Sequence, residues 1–361
     1  MGVENDALRE RYQGVLSSKN QTDIDTLRRL VLLEGLPNDA NKLNTVEFGR
    51  CSLRGIVWKA LLGVGPVDPS EYSSLVRKGP SSEDSRVRED ARRTFSKSDD
   101  FTTRVPTEKI IRLLNAYVWS CDNQRGIYAQ SMSLLAAPFL YVMPEPDAFH
   151  CFRIFLERKV PSYVKRYSGA RYGCELLEKC LMATHPTLHQ LFTRHGLNPE
   201  VYAFPSISSL GACVQPMSDT VRLWDIQLAY GVHMHILFTL ARLHLASDTI
   251  IETARNSSST PLITRELEQG LGLDAETVLA RAVPLVALLE PSLYKKLVAH
   301  SVRLPDDSLA TTQREAPLDK RMLERLDLIR TMRSPLPSSP PSESPQGDQE
   351  RLEASCEDEG S

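Results

Sequence analysis

Apolar residues recur at helical spacing along most of the chain, and that periodicity constrains the fold more than any other feature. Leu8, Tyr12 and Val15, then Ile24, Leu27, Leu30 and Val31, mark one face of a helical stretch over 6–34, which Pro37-Asn38-Asp39 ends. In LRGIVWKALLGV (53–64), Ile56, Val57, Ala60 and Leu61 share a face and Gly63 is a stop signal. Residues 65–85 are rich in Pro, Ser and Gly and read as a loop, and RVREDARRTF (86–95) is highly charged. Helical patterns resume over 107–121, 126–143, 146–166, 173–183, 186–195 and 199–210, then over 219–246, 248–256, 263–270, 274–289, 290–299 and 318–333. Convincing period-two alternation is absent, and no fixed-period repeat suggests a solenoid. The expectation is an all-α protein of about 15 helices joined by short loops.

With 41% apolar and 25% charged residues in 361, the chain can bury a sizeable core. A formal charge of -3 and the lack of any long Lys/Arg run leave no footprint for nucleic acid. The cysteines Cys51, Cys121, Cys151, Cys174, Cys180, Cys213 and Cys356 are odd in number and show no C-x-x-C spacing. Reduced thiols in a cytosolic or nuclear protein are the expectation. The N-terminus MGVENDALRERYQ is too polar for a signal peptide, and Asp6 stands where a myristoylation signal wants Ser or Thr. IQLAYGVHMHILFTLARLHLA (226–246) is long enough to cross a bilayer, but His233, His235, Arg242 and His244 argue for a buried helix of a soluble core. His233 and His235, two apart on a helix, point different ways and cannot clamp a metal together. They read as satisfied core histidines. From Ser334 the chain turns Pro- and Ser-rich and closes acidic, a composition that reads as a disordered tail. Ser334, Ser339 and Ser344 precede prolines there and are candidates for proline-directed phosphorylation.

Three short motifs carry the chemistry. In V-R-E-D-A-R-R, Asp90 and Arg93 stand three apart, so they share a helix face and can pair. In GIYAQSMSLL the long amide of Gln130 sits among small and apolar residues, between Tyr128 and Met132. In R-L-W-D (222–225), Trp224 is a packing anchor, and Asp225 is expected near the N-terminus of a long apolar helix that the motif opens. Each motif alone is weak.

Together with L-R-G-I-V-W-K-A-L-L-G (53–63), which supplies Arg54 and Trp58, the motifs follow one order: R-G-x-x-W-x-x-L-L-G, I/V-x-x-D-x-x-R, Y-x-Q-x-M and W-D. In this the chain resembles the TBC domain, the GTPase-activating module for Rab-type small GTPases. The resemblance implies a TBC-type all-α Rab-GAP domain over 45–310, with a catalytic N-terminal half (about 45–150) and a C-terminal half (151–310). A helical extension (1–44) would precede it, and a C-terminal helix (311–333) and the tail (334–361) would follow.

The resemblance also assigns roles. GTP hydrolysis needs positive charge at the transferring phosphoryl group and an oriented water. Arg93 becomes the finger that supplies the charge and Gln130 the amide that orients the water, with Asp90, Tyr128, Met132, Arg54, Trp58, Trp224 and Asp225 in support. Arg92 is a rival finger that the register with Asp90 disfavours. The implied partner is a Rab/Ras-like small GTPase in its GTP form. GTP and Mg²⁺ belong to that partner, so no cofactor of the chain's own is implied. The family's Y-x-Q-G-M has glycine where this chain has Ser131, and the alternative reading is a non-catalytic module that binds a GTPase or a scaffold. A finer resemblance, in APFLYVMPEPDAF (137–149) and PMSDTVRLWD (216–225), is to fungal TBC proteins of the mitotic exit and septation initiation pathway. Those proteins act at the spindle pole body with a separate scaffold, which implies a cytoplasmic, cytoskeleton-associated regulator of the cell cycle.

Overall fold

A computed structural model describes residues 2–17, 21–37, 51–123, 125–164, 167–214, 216–256 and 274–303. The helices expected at 263–270 and 318–333, the tail from Ser334 and Cys356 all lie outside these residues.

The described chain is all-α. Two N-terminal helices, α1 (Gly2–Ser17) and α2 (Gln21–Leu33), pack against each other. The next group is α3 (Leu53–Leu62), α4 (Pro69–Arg77), α5 (Asp84–Arg93), α6 (Asp99–Arg104), α7 (Thr107–Ser120), α8 (Met132–Val142) and α9 (Glu145–Ile154). A π-helical turn, Phe155–Lys159, extends α9. Beyond it come α10 (Pro161–Val164), α11 (Ser168–Thr184), α12 (Pro186–Arg194), α13 (Pro199–Tyr202) and α14 (Phe204–Ser208). The last five are α15 (Met217–Tyr230), α16 (Met234–Leu245), α17 (Ser247–Asn256), α18 (Ala275–Val286) and α19 (Pro291–Ala299).

Among the described residues nineteen α-helices stand where about 15 were expected for the whole chain, because several long patterns break. The stretch 65–85 is not all loop. Asp68 caps its Ser70 N–H at 2.9 Å, Pro69 takes the first helical position where no N–H is needed, and α4 follows. The short α6 was not expected at all. The pattern 126–143 becomes helical only at Met132, leaving 126–131 as a turn. The longest correction falls on 219–246. That run opens at Met217, five residues before the R-L-W-D motif, and Gly231 then divides it into α15 and α16. Gly231 has φ 118° and ψ 148°, a backbone that a side chain resists. Neither half, nor any other described helix, is long and apolar enough to cross a membrane.

One aromatic cluster ties the first half of the fold to the second. Trp58 of α3 stacks on Trp224 of α15 with centroids 6.0 Å apart, and Phe139 of α8 meets both edge-on at 5.6 Å. Phe155 of the π-helical turn closes the cluster against Trp224 at 5.4 Å. Both tryptophans are essentially fully buried. The Gly55 of the R-G motif matters here: a Cβ at that position would stand 3.1 Å from the Val142 carbonyl and closer still to Cys51, so the end of α8 can approach α3. The N-terminal pair belongs to the same body. Tyr12 donates to the Gly35 carbonyl at 2.8 Å, and Arg222 and Tyr230 of α15 donate to the carbonyls of Val31 and Arg28.

Candidate functional site

Asp225 does not lie near a helix N-terminus; it is the ninth residue of α15 and wholly buried. Its partners come from α3. Arg54 Nε donates to Oδ1 at 3.0 Å and Nη2 to Oδ2 at 3.1 Å, while Trp58 Nε1 donates to Oδ1 at 2.7 Å. A buried carboxylate survives only when paired and hydrogen-bonded, and this one has three donors. Trp224 Nε1 donates to the Leu210 carbonyl at 3.1 Å. Four of the supporting residues, Arg54, Trp58, Trp224 and Asp225, therefore form a buried clamp between α3 and α15. Met132 is buried as well, its sulfur accepting from the Ala129 N–H at 3.5 Å.

The other motifs meet on an accessible face. Helix α5 buries Val87, Asp90 and Ala91 and exposes Arg86, Arg88, Glu89, Arg92 and Arg93. Arg93 side chain is 54% exposed, so it projects from the helix rather than packing. Asp90 accepts from Arg93 Nη2 on one oxygen and from the Tyr128 hydroxyl, at 2.9 Å, on the other. That hydrogen bond and charge raise the pKa of the Arg93 guanidinium, and burial raises that of the Tyr128 phenol, followed by the negative charge of Asp90. Both stay protonated donors at neutral pH. The Arg86 guanidinium lies over the Tyr128 ring, 5.6 Å from its centroid.

The segment between α7 and α8 that bears Gln130 is fastened at two further points to the residues just before α5. Ser82 N–H donates to Asn123 Oδ1 at 2.7 Å, and Gly126 N–H donates to the buried Glu83 carboxylate at 2.6 Å. Gly126 has φ 80°, and Asp122 and Asn123 are also left-handed, so the chain reverses tightly between α7 and α8. Glu83, which also takes Arg86 at 2.8 Å, was not among the expected site residues. Nothing in a lone glutamate before a charged helix announces an acceptor for an N–H 43 residues away.

Gln130 is exposed, and its amide makes no hydrogen bond among the described residues. Its carbonyl accepts from the Ser133 hydroxyl at 3.1 Å. Ser131, in the position of the family glycine, has φ −64° and ψ −16°, ordinary right-handed values that impose no strain on a side chain. Its N–H donates to the Tyr167 hydroxyl at 3.3 Å. Arg92 is exposed and makes no hydrogen bond or ion pair among the described residues. The structure thus links Arg93, Asp90 and Tyr128 directly and sets Gln130 two residues beyond Tyr128. It places the tryptophan and Asp225 motifs in the core. His233 and His235 are buried, on the hydroxyls of Tyr294 and Tyr163 at 3.1 Å each.

An all-α body with an exposed arginine and an exposed amide held on adjoining segments matches one family model, the Rab-GTPase-TBC domain, over residues 51–251. The chain belongs to the Rab-GTPase-TBC family. A putative mitotic check point protein BUB2 of Dictyostelium discoideum is 32% identical over 317 residues, covering 85% of this chain and 84% of the relative. Cell division control protein 16 of Schizosaccharomyces pombe is 35% identical over 79% of this chain and 91% of its own length. The mitotic check point protein BUB2 of Saccharomyces cerevisiae is 30% identical, over 77% and 92%. Among solved structures, the Ypt/Rab-GAP domain of Gyp1p has a TM-score of 0.60 at 18% identity, covering 80% of this chain and 99% of that one. At that identity the likeness speaks for the fold.

Proposed function

We propose that the protein is a GTPase-activating protein that stimulates GTP hydrolysis by a Rab/Ras-like small GTPase, with Arg93 and Gln130 supplied in trans. The observation that carries this reading is the Tyr128–Asp90–Arg93 chain, which ties the finger helix to the turn holding an exposed, unbonded amide. Asp90 takes one guanidinium nitrogen of Arg93 and the exposed Glu89 stands 3.7 Å from a second, while more than half of the side chain stays open to a partner. In the complex the guanidinium stabilises the charge on the transferring phosphoryl oxygens, and the Gln130 amide orients the attacking water. Nucleotide and Mg²⁺ are brought by the GTPase.

The relatives named for mitotic check points and cell division support a role in mitotic exit and septation. The proposal extends to action at the spindle pole body with a separate scaffold protein as second component. A non-catalytic binding module is the second reading, and Ser131 is what favours it. The ordinary backbone of Ser131 weakens that argument, because nothing there calls for glycine.

Single-turnover hydrolysis with a panel of purified, GTP-loaded Rab- and Ras-like GTPases, with and without the candidate scaffold, tests the proposal. Stimulation of at least one GTPase supports it. Tight binding to a GTP-loaded member with no acceleration, scaffold included, would establish the second reading instead.

A further inference from the structure

Resting on the GAP reading above, we propose that Tyr167 is a positioning residue for Gln130, reaching the catalytic turn from the C-terminal half of the domain. Tyr167 precedes α11 with φ 57° and ψ 21°, a left-handed backbone that a bulky residue adopts at a cost. Its own helix draws on that conformation, since the Tyr167 carbonyl accepts the Arg171 N–H at 2.9 Å. The ring lies edge-on to Phe204 of α14, centroids 5.8 Å apart. Held there, its hydroxyl oxygen accepts the Ser131 N–H at 3.3 Å.

That N–H belongs to the peptide plane that begins at Gln130. The carbonyl of the same plane accepts the Ser133 hydroxyl at 3.1 Å. A peptide unit is rigid, so anchoring its oxygen and its N–H together fixes the plane. The preceding plane is held as well, since the Ala129 carbonyl accepts the Met132 N–H at 2.9 Å, and the two together set the direction in which the Gln130 side chain leaves the backbone. The amide itself makes no hydrogen bond among the described residues. Its aim therefore rests on the backbone. Ser131 is 6% exposed, and its N–H stands at the start of α8, where no carbonyl within the helix is available to it. Water is poorly placed to replace the phenol.

Tyr167→Phe deletes the acceptor and keeps the ring against Phe204. In the full 361-residue chain, the Ser131 amide should exchange with solvent at least several-fold faster by NMR than in the wild type. With the GTPase found in the panel, and its scaffold where one is needed, the single-turnover rate at saturation should fall roughly tenfold. Affinity for the same GTPase loaded with a non-hydrolysable GTP analogue should change less than about twofold, because the ground-state contacts remain. In a Gln130→Ala background the Tyr167→Phe change should have no further effect on rate, a coupling that a purely structural role does not produce. An unchanged rate in Tyr167→Phe, or losses that multiply in the double variant, would overturn the positioning role and leave the GAP reading standing. Failure of the wild-type protein to stimulate any GTPase overturns the GAP reading itself, and this proposal with it.

Discussion

Replacing Arg93 by alanine removes a guanidinium that is more exposed than buried and whose hydrogen-bonded partner, Asp90, retains the Tyr128 hydroxyl. Asp90 is itself buried and loses its charged partner, so the melting temperature should fall modestly while the fold is retained. The stimulated hydrolysis rate should fall by ~10³-fold or more. Arg93→Lys should lose nearly as much, since a point charge does not reproduce the planar fork that can keep Asp90 while facing a phosphate. Melting curves and single-turnover rates on the same samples check both. Retention of more than half the activity in Arg93→Ala would move the role to its exposed neighbour Arg92. Ser131→Gly belongs to the same scale. With φ at −64°, the serine is unstrained, so restoring the family residue should alter stability by only a few tenths of a kcal/mol and rate by less than about twofold. A large gain of activity in Ser131→Gly would show that the hydroxyl restrains the turn.

At the scale of elements, α3 and α15 are held by the Arg54, Trp58 and Asp225 contacts and by the stacked tryptophans. Trp58→Ala and Trp224→Ala should each cost ~3–5 kcal/mol in denaturant unfolding, with rates per folded molecule close to the wild type. Asp225→Ala should cost about as much, because it removes the buried carboxylate that accepts from Arg54 and Trp58. Wild-type unfolding with selectively lost hydrolysis in any of the three would contradict a structural role. The sequence showed part of this arrangement. Gly63 marks the end of α3 and has φ 71°, as its stop signal suggested, and the three-residue spacing of Asp90 and Arg93 showed their pairing. Such signals are local. What stayed hidden depends on distant partners: Asp225 finds Arg54 171 residues away, and Glu83 finds Gly126 across a turn that reads as helix. The division of 219–246 at Gly231 is hidden for another reason. Apolar residues continue across it, and one glycine in a helical run is usually tolerated.

Across the whole molecule, the second half of the fold buries neutral imidazoles. Burial is the leading cause that pushes His300 and His244 down to about 4 and His233 to about 3, and it lowers His235 as well. In the unfolded chain these rings protonate near 6.5, so between that pH and about 4 the unfolded state binds more protons than the folded one. The stability they contribute is complete above about pH 6.5 and is lost as pH falls towards 4. Thermal melts should therefore decline steadily from pH 6.5 to 4.5, and a midpoint that stays level over that range would contradict the burial of neutral histidines.

If this protein supplies both catalytic groups, as proposed, the partner GTPase can be made to reveal it. Its switch glutamine is changed to leucine, and single-turnover hydrolysis is followed with wild-type protein, Arg93→Ala and Gln130→Ala. Melting temperatures are taken on the same samples. The wild type should still accelerate hydrolysis by the glutamine-deficient GTPase, and each variant should lose that acceleration while remaining folded with a cooperative melt, in keeping with the exposed, unbonded amide of Gln130 and the exposed side chain of Arg93. Loss of stimulation when the GTPase lacks its glutamine, or full activity in Gln130→Ala, would show that the water is oriented by the GTPase and not by this chain.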